Sequence, residues 1–94
     1  MLFEWDEKKN RENRRKHGIN FEYARKVFLD ENRIERLDTE HSWSEERIIT
    51  IGLVDFMVMV VYTERRGNIR IISARSAEKE EMTAYYEEND IRRR

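Results

Sequence analysis

The chain of 94 residues has no cysteine, no proline and only three glycines. Without cysteine there is no disulfide framework, thiolate metal site or CxxC redox pair. No Gly-rich phosphate loop and no nucleophile elbow can be found, so ATP-dependent and acyl-transfer chemistry have no support. Two histidines without HxxH spacing give metal coordination little basis, and no cofactor is expected. No stretch approaches the roughly 20 apolar residues of a membrane span. No signal-peptide pattern opens the chain, and a cytoplasmic domain is the expectation. A formal net charge of −1 removes the overall basic excess that often marks nucleic-acid binders.

Charge is nevertheless abundant. Charged residues make up 41% of the chain against 38% hydrophobic, enough apolar content for one thin core. A chain of this size buries only about 60–65% of its unfolded surface. Residues 1–90 read as a single domain and 91–94 as a basic tail. The charges are bipolar. KKNRENRRK, from Lys8 to Lys16, sets one acid among six bases, whereas Glu78 to Asp90 is dominated by acids. Surfaces of opposite sign can serve different partners.

The pattern predicts a short strand over residues 2–5 and a helix from Glu7 to His17, capped by Asp6 and stopped by Gly18. That helix has no large apolar residue, so Trp5 and Ile19 must anchor it, with small contributions from the i,i+4 pairs Glu7–Arg11, Lys8–Glu12 and Glu12–Lys16. A second helix, capped by Asn20, turns Phe21, Ala24, Val27 and Phe28 to a core. Ile34–Leu37 fits an edge strand, and residues 38–44 a polar loop. Strands follow at about 45–54, 56–65 and 68–75, joined around Asp55 and Arg66-Gly67-Asn68. Ser76 is placed to cap a last helix to about Asn89, with Met82, Tyr85 and Tyr86 facing inward. The order predicts an α+β fold: a small antiparallel sheet with two N-terminal helices and one C-terminal helix. Neither proline nor βαβ alternation argues for a parallel sheet.

Arginines punctuate the most hydrophobic part of the chain. IITIGLVDFMVMVV is plain sheet core, yet Arg65, Arg66, Arg70 and Arg75 follow within or beside the next strand. A buried unpaired guanidinium is costly. Either one sheet face is solvated and its arginines pair with acids such as Glu64 or Glu81, or the face lines a groove for an anion. Strand alternation sends Arg70 and Arg75 to opposite faces unless a bulge intervenes. Lys9, Asn13 and Lys16 share one side of the first helix. They form either a solvated face or a stripe spaced for phosphates. His17 ends that helix, and His41 lies in the polar loop beside Trp43.

These residues together resemble the BrnT toxin family. The opening FEWDEKKNRENRRKHGINFEYARKVFLD carries the tryptophan–aspartate pair (Trp5, Asp6), then Lys9, Asn13, Lys16, His17 and Gly18, then Phe21 at a helix start. His41, Glu46-Arg47, Gly52 and the closing YTERRGNIRIISARSAEKEE, through Glu81, match the later signature. The resemblance implies a RelE-like fold and a ribonuclease toxin of a type II toxin–antitoxin pair. It also implies a BrnA-like ribbon-helix-helix antitoxin as partner, with operator DNA bound only through that antitoxin. RNA is the substrate so implied. Metal-independent cleavage needs a base, a cation for the phosphorane oxygens and an acid. The cationic role falls to Arg70 and Arg75 with Arg65 in support, and the base or acid role to His41 and Glu64, with His17 as runner-up. Lys9, Asn13, Lys16 and His17 are the candidate RNA-binding residues. The competing reading is a noncatalytic RNA- or protein-binding module on the same fold. A regulator acting alone lacks a recognition helix.

Overall fold

The computed structural model describes residues 2–92, the side chains of 91 and 92 excepted. Five strands form one sheet in the order β1-β5-β4-β3-β2. They are β1 (Phe3–Trp5), β2 (Ile34–Leu37), β3 (Ile48–Leu53), β4 (Met57–Arg65) and β5 (Asn68–Ser76). Strands β2 to β5 pair antiparallel as expected, but β1 adds to β5 in parallel, through Phe3–Ile69, Glu4–Arg70 and Trp5–Ile71. The sheet is therefore mixed.

Helix α1 (Glu7–His17) has its predicted limits for the predicted reasons. The Asp6 carboxylate accepts from the Lys8 and Lys9 amides, and Gly18 closes the helix at φ 72°. None of the three expected i,i+4 ion pairs forms among the described residues; Glu7 instead accepts from Trp5 and Asn10. The anchor is a buried amide. Asn13 is 6% exposed. Its Nδ2 donates to the Ile19 and Ala74 carbonyls, both at 2.8 Å, and its Oδ1 accepts from the Ala74 amide at 3.1 Å. Strand β1 stops pairing at Ile71, leaving the outer N–H and C=O of Ala74 with no strand beside them. The Asn13 amide takes the place of that strand.

Helix α2 (Phe21–Ala24) tightens into a 3-10 turn, Arg25–Leu29. With α1 it covers the first sheet face, where Phe21, Val27, Val58, Val60, Tyr62, Ile69 and Ile71 make the main core. Gly52 belongs to this face. A Cβ there would sit 2.7 Å from Val27 Cγ1 and 3.3 Å from the Val27 carbonyl oxygen. Val27 is fully buried and β-branched, so it cannot swing aside. Gly52→Ala is expected to cost about 1–3 kcal/mol, the range for overpacking, measured as a shift of the urea midpoint at unchanged slope.

The second face carries a smaller core of Ile34, Ile51, Met57, Met59 and Tyr85, roofed by α3 (Lys79–Arg92). The helices thus cover both faces, the second only at one end. The α3 start lies beyond the predicted Ser76 cap. Ser76 ends β5, and Glu81 accepts the Glu78 amide as a capping side chain. Tyr85 is buried, but Met82 (36%) and Tyr86 (55%) are exposed, correcting their inward placement. Asp30 ties this helix down. Burial pushes its carboxyl up, but the Leu53 amide, the Tyr85 hydroxyl at 2.7 Å and the Asn32 amide outweigh it and hold it below the usual range. The helix runs through Ile91 and Arg92, so part of the expected tail is helical; Arg93 and Arg94 lie outside the described residues.

Candidate active site

Beyond the start of α3, where Glu78 and Glu81 grip Arg75, the second face is open. There β2 and β3 part, and residues 38–47 fold back as a hydrogen-bonded loop. The Asp38 amide donates to the Arg47 carbonyl at 2.8 Å. The Ser42 hydroxyl donates to the Asp38 carbonyl and accepts from the Arg47 amide. The Thr63 hydroxyl donates to the Glu46 carbonyl at 2.6 Å, pinning the loop to β4. Between loop and sheet lies an open cavity of about 380 Å³, floored by Ile49, Met59, Val61, Ile72 and Ser73 and walled by Asp38, Glu40, His41, Arg47 and Arg75.

His41 Nδ1 lies 3.1–3.2 Å from both carboxylate oxygens of Asp38. The Asp38 side chain is 13% exposed and the imidazole 56%. An ionised carboxylate only accepts, so Nδ1 carries the proton and Nε2 keeps the lone pair in the neutral ring. That is the arrangement of a positioned general base. Arg47 differs from the other cations nearby. Its Nε is buried without a hydrogen-bond partner, and no carboxylate pairs with it among the described residues.

Arg75 is on the wall but already engaged. Its two terminal nitrogens bind the two Glu81 oxygens at 2.8 and 3.0 Å, with Glu78 at 3.1 Å. The Glu81 hydrogen bonds raise the Arg75 pKa against the lowering effect of burial. Burial pushes the Glu81 carboxyl up, but Arg75 and the Glu78 amide hold it below its usual range.

The other candidates scatter, for reasons of register. Val61 pairs with Ser73 and Tyr62 with Ile71, which makes Ile72 an extra, bulged residue. The bulge reverses the alternation, so Arg70 (opposite Thr63) and Arg75 (opposite Met59) point to the same face after all. They are four β4 residues apart, about 13 Å. Arg70 stays outside the cavity and pairs with Glu4 at 2.8 Å; that hydrogen bond is the main reason the Glu4 pKa is lowered. Arg65 binds Glu45 at 3.2 Å. Glu64 alternates to the side of Tyr62, facing away from His41 and Arg75, and does not join them. Lys9, Lys16 and His17 are exposed on α1, over the opposite sheet face. Asn13, placed with them in the expected phosphate stripe, is corrected: its amide is buried and fully used by Ile19 and Ala74.

Arg47, Asp38 and Glu40 went unnoticed as site residues. Arg47 stands in the sequence as part of the Glu46-Arg47 landmark, a cation entering an apolar strand, which was the available signal. Asp38 lies three residues before His41, a spacing whose meaning depends on the loop. Among the described residues no three His, Asp or Glu side chains gather to hold a metal ion, and no helix is long and apolar enough to cross a membrane. A larger concavity of about 500 Å³ opens on the first face between Phe3, Phe28 and Leu29. It is mostly apolar, and its Arg25 is tied to Glu22 at 2.8 Å, so it offers no acid–base pair.

Residues 5–81 match the model of a family described as the ribonuclease toxin BrnT of type II toxin–antitoxin systems. Against curated proteins the chain finds no match. Among solved structures it is similar to the 1.1 Å crystal structure of the Brucella abortus ribonuclease toxin BrnT. The two are 25% identical with a TM-score of 0.63, over 84% of this chain and 100% of that one. With the family match spanning both helical entry and arginine-bearing strands, the chain belongs to the BrnT family of ribonuclease toxins of type II toxin–antitoxin systems.

Proposed function

We propose that the cavity under the 38–47 loop is a metal-independent endoribonuclease site that cuts RNA by attack of the 2′-hydroxyl. The observation that carries this reading is the oriented Asp38–His41 pair sharing one groove with the uncompensated guanidinium of Arg47. His41 Nε2 takes the 2′-hydroxyl proton as that oxygen bonds to the adjacent phosphorus. Arg47 neutralises the charge that develops on the phosphorane oxygens, with Arg75 beside it. The P–O5′ bond then breaks, and the 5′-oxygen takes a proton from solvent in the open groove. The products are a 2′,3′-cyclic phosphate and a 5′-hydroxyl. Arg70 extends the cationic face along the bound strand, with Arg65 at its end. Lys9, Lys16 and His17 can meet only RNA that wraps past the sheet edge. In the cell the consequence is arrest of translation in the cytoplasm, relieved by a BrnA-like antitoxin.

The test is cleavage of RNA by the purified, antitoxin-free protein in EDTA, with product ends mapped. His41→Ala is expected to lower the rate by about 10²–10⁴, the contribution of one positioned acid–base group. Unchanged cleavage by a folded His41→Ala protein overturns the assignment. One observation favours a noncatalytic RNA-binding module instead: Arg65, Arg70 and Arg75 are each held by a carboxylate. Binding that weakens steeply with salt, without any cut product on free or ribosome-bound RNA, is the result that reading requires.

A further inference from the structure

Trp43 stands 89% exposed on a loop that is not loose. His41 on one side and Arg47 on the other are tied back to Asp38 and Ser42. Glu45 is held by Arg65, and the Glu46 carbonyl by Thr63. The backbone around the indole is therefore fixed while the ring itself faces water. Its neighbour is the proposed base: the His41 and Trp43 ring centroids are 6.4 Å apart, tilted by 43°. A large flat π-face is thus set beside His41, the group assigned to the 2′-hydroxyl, which itself lines the groove that holds Arg47.

We infer that Trp43 is a base-stacking platform, and that the groove takes single-stranded RNA with the base next to the cut phosphate lying on the indole. This rests on the ribonuclease reading above. In an A-form duplex the bases are stacked inside, and the groove that carries their edges does not offer a π-face to a side chain. A base can reach Trp43 only where the strand is unpaired. Every base has a π-face, so the platform selects for single-strandedness and tolerates sequence. Binding one base there also places its own ribose near His41, which converts recognition into positioning.

The experiment uses the full chain and a 2′-O-methyl oligoribonucleotide, which cannot be cut because its attacking hydroxyl is blocked. It is titrated single-stranded and annealed to its complement. Trp43→Ala is expected to weaken single-strand binding about 5- to 150-fold, the range for losing one stacked base, and Trp43→Phe to retain most of it. The slope of log affinity against log salt stays unchanged, since no phosphate contact is lost. Duplex binding is the same for Trp43→Ala and the parent chain. Equal single-strand affinity for Trp43→Ala, while the parent chain still cleaves RNA, overturns the platform and leaves the active site standing. A parent chain that neither binds nor cleaves RNA overturns both. Loss confined to antitoxin binding assigns the indole to a protein contact and overturns the inference as well.

Discussion

Arg47→Ala is expected to reduce RNA cleavage by about 10²–10³ while leaving the fold intact. Removing one donor aimed at developing negative charge typically has that effect, equivalent to about 3–4 kcal/mol in the barrier. Arg47 is the candidate because of what surrounds it. Of the four arginines singled out by their position in an apolar run, the three that lie in strands are each neutralised by a carboxylate: Arg65 by Glu45, Arg70 by Glu4 and Arg75 by Glu81 and Glu78. A phosphate approaching Arg75 must displace two carboxylates that already use both arms of its fork. A phosphate approaching Arg47 meets a guanidinium on the cavity wall that no carboxylate holds among the described residues. Arg75→Ala is therefore expected to cost less in rate than Arg47→Ala. Arg47→Lys keeps the charge but loses the planar fork, and recovers only part of the activity. Binding separates the roles further: each lost phosphate contact flattens the salt slope by about 0.7 for a single strand. If Arg47→Ala cleaves at the parent rate and Arg75→Ala does not, the cationic centre of the groove is Arg75, and Glu81 swings away when RNA binds.

The contrast between Arg47 and the strand arginines shows which parts of the molecule could be read from the chain. Local punctuation was legible. Asp6 and Gly18 bound α1 because a cap and a left-handed stop act within a few residues. The Arg66-Gly67 turn was legible too. Its two positive φ values, 53° and 82°, suit a tight hairpin between Arg65 and Asn68. Register was not. The bulge at Ile72 is defined only by which β4 residue stands opposite, and it decides whether Arg70 and Arg75 share a face. Pairing was legible only where it is local: Glu81 was a nameable partner for Arg75, whereas Glu45 and Glu4, the partners of Arg65 and Arg70, come from distant parts of the chain. Arg47 was visible as a residue but not as an unpaired one, because pairing is a property of the assembled groove.

Asn13 makes the same point in energetic form. On a helix of otherwise polar residues its amide reads as one more solvated group, between Lys9 and Lys16. Its partners, however, are Ile19 and Ala74, the second of them 61 residues away. Asn13→Ala would leave the Ile19 carbonyl and both polar groups of Ala74 without their buried partner. Each such group costs about 1–3 kcal/mol, and partial access of water at the freed edge reduces the sum. A loss of about 3–5 kcal/mol is expected, against a total stability of about 5–14 kcal/mol for a chain this size. Asn13→Asp is expected to be no better: one oxygen can still accept from the Ala74 amide, but the other faces two carbonyls with no proton to offer. Lys9→Ala and Lys16→Ala, on the exposed flanks of the same helix, should stay within about 0.5 kcal/mol of the parent chain. Urea unfolding of the four variants decides the matter. Were Asn13 a phosphate ligand, Asn13→Ala would unfold at the parent midpoint and bind RNA less tightly. As the substitute for a missing strand beside Ala74, it must instead lower the midpoint of every unfolding curve, with or without RNA present.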